Sequence, residues 1–120
     1  MEDIDLLPET LRSQSLSERE IVLPYDEALQ ALDILVKADW ALLGWEGWEK
    51  DAEGRHGHSY IMGTTSIEQE PGEKWEDYVQ RSARFCRATI GADQERWKRE
   101  DIDSSRTLYF CLTATGKTQT

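Results

Sequence analysis

The residues of this chain that could do chemistry are concentrated in one stretch, GWEGWEKDAEGRHGHS at residues 44 to 59. It holds both histidines of the chain, with two tryptophans, four glycines and four acidic residues. His56 and His58 stand two residues apart, so on a strand both imidazoles face the same side, which suits metal ligands. Zinc needs at least one further protein ligand, and Glu49 is the nearby candidate. The chain has neither a paired-cysteine motif nor a His-Glu-x-x-His sequence, so we expect no metal site.

A catalytic site could draw on the same stretch, because Glu46, Glu49 and His56 supply groups for acid–base chemistry. Any acidic surface offers such pairs, however, and no nucleophile elbow, phosphate loop or dinucleotide fingerprint accompanies them. Cys86 and Cys111 sit among apolar neighbours, where a thiol is inert. The sequence therefore favours a protein that is not an enzyme and needs no cofactor. A small enzyme using Glu46, Glu49 and His56 is the less favoured alternative.

The charge of the whole chain indicates the kind of partner. Its 120 residues include 24 acidic and 14 basic side chains, for a formal net charge of −10. Phosphate groups are bound by basic surfaces, so neither free nucleic acid nor an anionic membrane is an expected partner. A basic protein surface is the natural complement, since opposite fields raise the rate of encounter.

The chain is long enough for one hydrophobic core, and 38% of its residues are hydrophobic. We expect a polar N-terminal arm over 1–20, a single domain over 21–114 and a polar tail over 115–120. The first twenty residues lack the apolar centre of a signal peptide, and no apolar run approaches the roughly 18 residues of a membrane span. These features predict a cytoplasmic protein in which Cys86 and Cys111 are reduced and buried.

A first helix is predicted over about 24–38, where apolar residues recur at helical spacing. Pro24 suits the first helical position, and Asp26 and Glu27 favour the positive end of the helix dipole. The expected core face comprises Tyr25, Ala28, Leu29, Leu32, Leu35 and Val36.

A second, longer helix is predicted over about 73–100, after a break at 68–72. Within it, Gly91 is a candidate for a kink or a break. Its expected core face comprises Trp75, Tyr78, Val79, Phe85, Cys86, Ile90 and Trp97.

Strand character is found over 40–49, 55–64 and 106–114. Turn residues between the first two of these strands predict a β-hairpin with a longish loop. The apolar run 20–23 is either a brief strand or a covered lead-in. The order helix, strand, strand, helix, strand predicts an α+β domain with two main helices packed on a small antiparallel sheet.

The pairing within the hairpin follows if Lys50 and Arg55 flank its loop. Glu49 then forms a cross-strand ion pair with His56, and Trp48 covers Gly57 on the neighbouring strand. The expected partners are Glu49 with His56, Trp48 with Gly57, Gly47 with His58 and Trp45 with Tyr60. In this arrangement the tryptophans and glycines are structural and the acidic side chains point outward.

The charges are polarised along the chain. Residues 46–77 contain nine acidic and three basic side chains, whereas residues 81–99 contain six basic and two acidic ones. An acidic surface also keeps a protein dispersed, so charge alone does not define a site. The residues we expect to bind a basic partner are Glu46, Glu49, Asp51, Glu53, Glu68 and Glu70.

The chain resembles a family of small bacterial immunity proteins that neutralise contact-dependent or polymorphic toxins. The resemblance rests on EIVLPYDEALQALDIL at 20–35, LLGWEGWEKDAEGRHGHS at 42–59, FCRATI at 85–90 and LYFCLTA at 108–114. The GWEGW and GHS elements on either side of a polar turn are its most specific part.

The resemblance implies a protein that binds and inhibits one cognate toxin domain, a basic nuclease domain being the best match to the acidic charge. It carries over no set of toxin-contacting residues, so the six acidic residues named above come from charge and position alone. An acidic adaptor module that binds a basic protein for another purpose is the alternative from a different class.

Overall fold

The computed structural model describes residues 1–59, 63, 66–100 and 105–119, and confirms the predicted α+β class. Two long helices accompany a four-stranded antiparallel sheet. Among the described helices, none combines the length and apolar character that a membrane crossing requires. The main elements are β1 (Ile21–Pro24), α2 (Tyr25–Lys37), β2 (Ala41–Lys50), β3 (His56–His58), α3 (Trp75–Glu100) and β4 (Thr107–Thr115). Short helices at Asp3–Leu6, Glu9–Arg12 (α1) and Lys117–Gln119 complete the set.

The sheet has the strand order β1-β4-β2-β3, so its last strand in sequence lies in its interior. β4 pairs with β1 on one side and with β2 on the other, which places Leu112 opposite both Ile21 and Trp45. The apolar run before the first long helix is therefore a strand rather than a covered lead-in. A β-bulge interrupts the pairing of β2 with β4 between Leu42 and Gly44.

Both long helices pack on the same face of this sheet, but their buried faces differ from the expected ones. α2 buries Ala28, Ala31, Leu32 and Leu35, whereas Tyr25, Leu29 and Val36 are only partly buried. α3 buries Trp75, Val79, Cys86 and Ile90 as predicted.

The prediction that Phe85 is buried is wrong, because its side chain is 50% exposed. Residues 79, 82, 86 and 90 lie at spacings of three and four and point into the core. Phe85 precedes Cys86 by one position, which turns it about 100° away from this line. Gly91 produces no break, since α3 is continuous from Trp75 to Glu100.

The first twenty residues are part of the domain and do not form a separate polar arm. Ile4, Leu7 and Leu11 are buried in the core cluster. The carboxylate of Asp3 accepts a hydrogen bond from the backbone N–H of Ala114 at 2.9 Å, which extends the pairing of β4 beyond the end of β1.

A turn before α3 is fixed by an ion pair between Glu73 and Arg81. Gly72 has a φ of 79°, and the N–H of Glu73 donates to the carbonyl of Glu70 at 3.0 Å. Both carboxylate oxygens of Glu73 accept from the Arg81 guanidinium at 2.8 Å. Arg81 also donates to the carbonyl of Glu68 at 2.7 Å. One guanidinium therefore holds the whole loop against the helix.

Replacing Glu73 with glutamine is expected to destabilise the protein at neutral pH and to have little effect near pH 2. Hydrogen bonds from Arg81 and from the Glu70 N–H lower the pKa of Glu73 from its ordinary value of 4.5 to about 2. Because the folded-state pKa is the lower one, the stabilisation is present above pH 4.5 and is lost as the pH falls towards 2. Melting temperatures of the parent and Glu73→Gln, measured over this range, should converge at its acid end.

The matched control is Glu76→Gln, an exposed acidic residue in the first turn of the same helix. Its melting temperature should follow that of the parent at every pH. Parallel curves for Glu73→Gln and the parent would contradict the assignment of the ion pair.

Candidate protein-binding site

The hairpin loop between β2 and β3 is organised by the carboxylate of Asp51. This carboxylate accepts hydrogen bonds from the backbone N–H groups of Glu53 at 3.0 Å and Arg55 at 2.9 Å. The N–H of Gly54 donates to the carbonyl of Asp51 at 3.1 Å, and Gly54 has a φ of 88°. The backbone N–H of Asp51 donates to the carbonyl of Arg55 at 2.9 Å. These bonds define a three-residue loop, 52–54, with glycine at its left-handed position.

The predicted hairpin register is therefore wrong by one residue. The observed partners are Lys50 with His56, Glu49 with Gly57, and Trp48 with His58. The expectation assumed that Lys50 and Arg55 flank the loop, whereas Asp51 and Arg55 do. An aspartate at the first position and a glycine at the fourth were the signal for this shorter loop. The expected pairing of Trp45 with Tyr60 involves Tyr60, which lies outside the described residues.

Because side chains alternate along a strand, this shift decides which residues share a face. Trp45 lies on the helix side, where it is buried, donates from Nε1 to the hydroxyl of Thr89 at 2.9 Å and meets the ring of Phe110 at 5.2 Å. Its predicted structural role is confirmed. Gly57 does not receive Trp48, since a Cβ built on Gly57 meets nothing within 4 Å. A close approach occurs instead at Gly63, where a Cβ would lie 1.9 Å from the carbonyl oxygen of Trp45.

The other face of the sheet carries a cluster of aromatic and imidazole rings, which we call the open face. The Trp48 ring lies 4.9 Å from the His58 ring and 5.8 Å from the His56 ring. Tyr109 of β4 is opposite Trp48 in the ladder, and both are half-buried. Glu46, with a side chain 53% exposed, lies 3.8 Å from the Nδ1 of His58. The open face is defined by Glu46, Trp48, His56, His58 and Tyr109.

The indole N–H of Trp48 differs from that of Trp45 in its hydrogen bonding among the described residues. The Nε1 of Trp48 is buried and donates to no acceptor within the described part of the chain. A buried donor without an acceptor costs free energy, and tryptophan N–H groups normally find one. The ring as a whole is half-buried, so the part of it that is exposed is available to a second molecule that covers the open face.

On the same side of the sheet as the open face, Val22 and Cys111 lie opposite each other in the ladder and are buried. Burial, together with smaller contributions from the carboxylates of Glu20, Glu46 and Asp3, raises the pKa of the Cys111 thiol to about 12. Burial alone raises the pKa of the other cysteine, Cys86, to about 12. Both cysteines are free and buried, as predicted, and neither is available as a nucleophile.

The six acidic residues expected to bind a partner do not form one patch. Glu49 faces the helix side, where its carboxylate accepts from Arg106 at 2.7 Å and its side chain is only 17% exposed. Asp51 builds the turn and is 21% exposed. Glu46 and Glu53 remain outward, although Glu53 also lies 3.4 Å from Arg55.

Glu68 and Glu70 are exposed but lie at the far end of β2. The N–H of Ile67 donates to the carbonyl of Leu43 at 2.8 Å, which fixes their loop beside the start of that strand. Asp51 follows Leu43 by eight positions of extended chain, a distance of roughly 25 Å. These two glutamates and the hairpin acids can therefore contact one partner only if it spans the whole strand.

The alternative catalytic group is not assembled. Glu46 and His56 are on the open face, whereas Glu49 is on the helix side and paired with Arg106. Within the described residues, no three His, Cys, Asp or Glu side chains come together in a way that could hold a metal ion.

Comparison of the chain with family models, curated proteins and solved structures gave no match.

Proposed function

We propose that this chain is an immunity protein that binds a cognate toxin domain through the open face and the hairpin tip, and so blocks the toxin in the cytoplasm. The resemblance in the GWEGW…GHS segment supports the class of protein, and the net charge of −10 supports a basic partner. The proposal needs neither catalysis nor a cofactor from this chain.

The observation that carries the proposal is Trp48. Interface residues that dominate affinity are commonly tryptophan, tyrosine and arginine in partly enclosed positions. Trp48 and Tyr109 meet this description, since both are half-buried and lie opposite each other on the open face. The two exposed imidazoles beside Trp48 extend the flat contact surface.

The outward carboxylates of Glu46 and Glu53 contribute the electrostatic part. Exposed charges on one protein accelerate association with an oppositely charged partner and add less to the final affinity. A basic nuclease domain is the partner that this field suits best. An adaptor that binds another basic protein would use the same surface, so the two functions are separated by the identity of the partner.

The function is tested by co-expressing this chain with the toxin domain encoded beside it. The parent chain should restore growth, and an unrelated immunity protein should not. Binding of the two purified proteins without any rescue of growth would favour the adaptor. Absence of both rescue and binding would contradict the proposal.

Reversing two exposed charges is expected to slow association with the toxin domain. Glu46→Lys with Glu53→Lys should lower the association rate constant by about tenfold or more, since steering of this kind contributes between 10- and 1000-fold. The variant should also lose most of the salt dependence of that rate. Asp51 is left in place because its carboxylate builds the turn. Stopped-flow or biosensor kinetics at two salt concentrations measure both effects.

The matched control changes the same charge on the helix side, with Asp26→Lys and Glu76→Lys, both exposed. If this control slows association less, the electrostatic attraction of the toxin domain comes mainly from the open face and the hairpin tip. Equal effects of the two variants would mean that net charge, and not this surface, attracts the partner.

A further inference from the structure

The solvent side of α3 has an apolar centre. Phe85 is 50% exposed, and Met1 is the only other large hydrophobic residue exposed to such an extent among the described residues. Ala88 and Ala92 follow it at spacings of three and four and are also exposed. Residues at these spacings share one side of a helix. Phe85, Ala88 and Ala92 give α3 a short apolar strip in the middle of its length, bordered by the exposed Arg84.

Two charged residues precede this strip and two follow it, and on both sides the acidic residue comes before the basic one. Asp77 and Arg81 precede the strip at helical spacing, and Glu95 and Arg99 follow it. The order along the helix is acid, base, apolar strip, acid, base. If a second helix of this sequence runs antiparallel with its Ala88 opposite the first Ala88, Asp77 meets Arg99 and Arg81 meets Glu95. Phe85 then lies over the small residues Gly91 and Ala92 of the other copy.

We propose that α3 pairs antiparallel with α3 of a second copy of this chain, with a two-fold axis beside Ala88. The charge order is the argument for this occupant, because this orientation brings Asp77 to Arg99 and Arg81 to Glu95. The exposed Arg84 on the same side then faces the small Ala92. A parallel pair would place like charges side by side. The interface would be isologous, as in most homodimers, and the two helix dipoles would oppose each other favourably.

Contacts within the chain are compatible with this pairing. Lys98 and Glu95 are 3.8 Å apart on the surface, a distance at which an exposed pair contributes little and can rearrange. Arg81 keeps its bidentate contact with Glu73, so it meets Glu95 of the other copy as part of an existing ion pair, and the two Asp77–Arg99 contacts supply most of the attraction. The pairing uses the helix layer, whereas the open face lies on the other side of the sheet. Each copy could therefore still bind its own partner, and the proposal does not depend on the proposed function.

The first test is the mass in solution with a cross-link at the axis. In sedimentation equilibrium over a concentration series, the parent should approach twice the mass of one chain, and Phe85→Ser should stay at one. Ala88→Cys should form a disulfide-linked dimer under mild oxidation, because its two sulfurs meet at the axis. Gln80→Cys, exposed on the same helix but outside the strip, is the matched control and should not. The native Cys86 and Cys111 are buried and should not cross-link.

A charge exchange tests the orientation. Asp77→Arg and Arg99→Asp should each shift the monomer–dimer equilibrium towards the monomer, and the double variant should restore the dimer. A monomeric parent with no Ala88→Cys cross-link would overturn the proposal. So would an effect of Phe85→Ser confined to toxin binding, which would assign this strip to the toxin. A double variant weaker than both single variants would exclude the antiparallel pairing.

Discussion

Replacing Phe110 with alanine is expected to lower the free energy of unfolding by about 3–5 kcal/mol, the usual cost of truncating a buried aromatic residue. Phe110 is fully buried in the middle of β4 and contacts the rings of Trp45 at 5.2 Å and Tyr25 at 6.2 Å. Its neighbours in the ladder are Leu23 on β1 and Gly47 on β2. Gly47 has no side chain with which to fill the cavity, so the site cannot collapse easily.

Urea unfolding of the parent and Phe110→Ala measures this loss. Tyr109→Ala is the matched control, since it changes the preceding residue of the same strand on the half-buried open face. It should cost clearly less. Similar losses for the two variants would contradict the placement of the core on the helix side of the sheet.

Replacing Trp48 with alanine is expected to weaken binding of the toxin domain by about 30-fold or more, equivalent to the 2 kcal/mol or more that a central interface tryptophan contributes. The variant removes the ring that stacks on His56 and contacts His58, and with it the aromatic centre of the open face. Its melting temperature should fall less than that of Phe110→Ala because Trp48 is only half-buried. Calorimetric or biosensor titration gives the affinity.

Trp40→Ala is the control for removal of a tryptophan. Trp40 is also half-buried, but it packs beside Gly116 at the opposite end of β2 from the hairpin. It should lower stability and leave affinity unchanged. If Trp40→Ala weakened binding and Trp48→Ala did not, the partner would bind at the other end of the sheet.

The local pattern of the sequence was sufficient to predict the main elements. Both long helices and the strands β2 and β4 lie within two residues of their expected ends, because apolar spacing and breakers such as Pro71-Gly72 are local signals. The fold class follows from their order. Burial of Phe85 was predicted wrongly. Phe85 and Cys86 are adjacent and both apolar, so residue type alone cannot tell which of the two faces the core.

The candidate site was predicted less well, since it depends on register and on distant contacts. A shift of one residue in the hairpin moves His56 and His58 to the face of Trp48, while Glu49 stays on the face of Trp45 and meets Arg106, 57 residues away in sequence. No local pattern indicates that ion pair. The same shift moves Trp48 from a glycine to two histidines, which changes its expected role from a structural to a binding residue.

The position of β4 in the sheet has a consequence for synthesis of the protein. Of the four strands of the described sheet, β4 leaves the ribosome last, yet it separates β1 from β2 and makes hydrogen bonds with both. Until residues 107–115 have emerged, β1 and β2 expose unpaired edges, and α2 and α3 have no completed sheet on which to pack. Such edges and apolar faces favour aggregation. The sheet of this domain therefore cannot be completed before residues 107–115 have emerged, and the exposed edges are open to aggregation until β4 inserts between them.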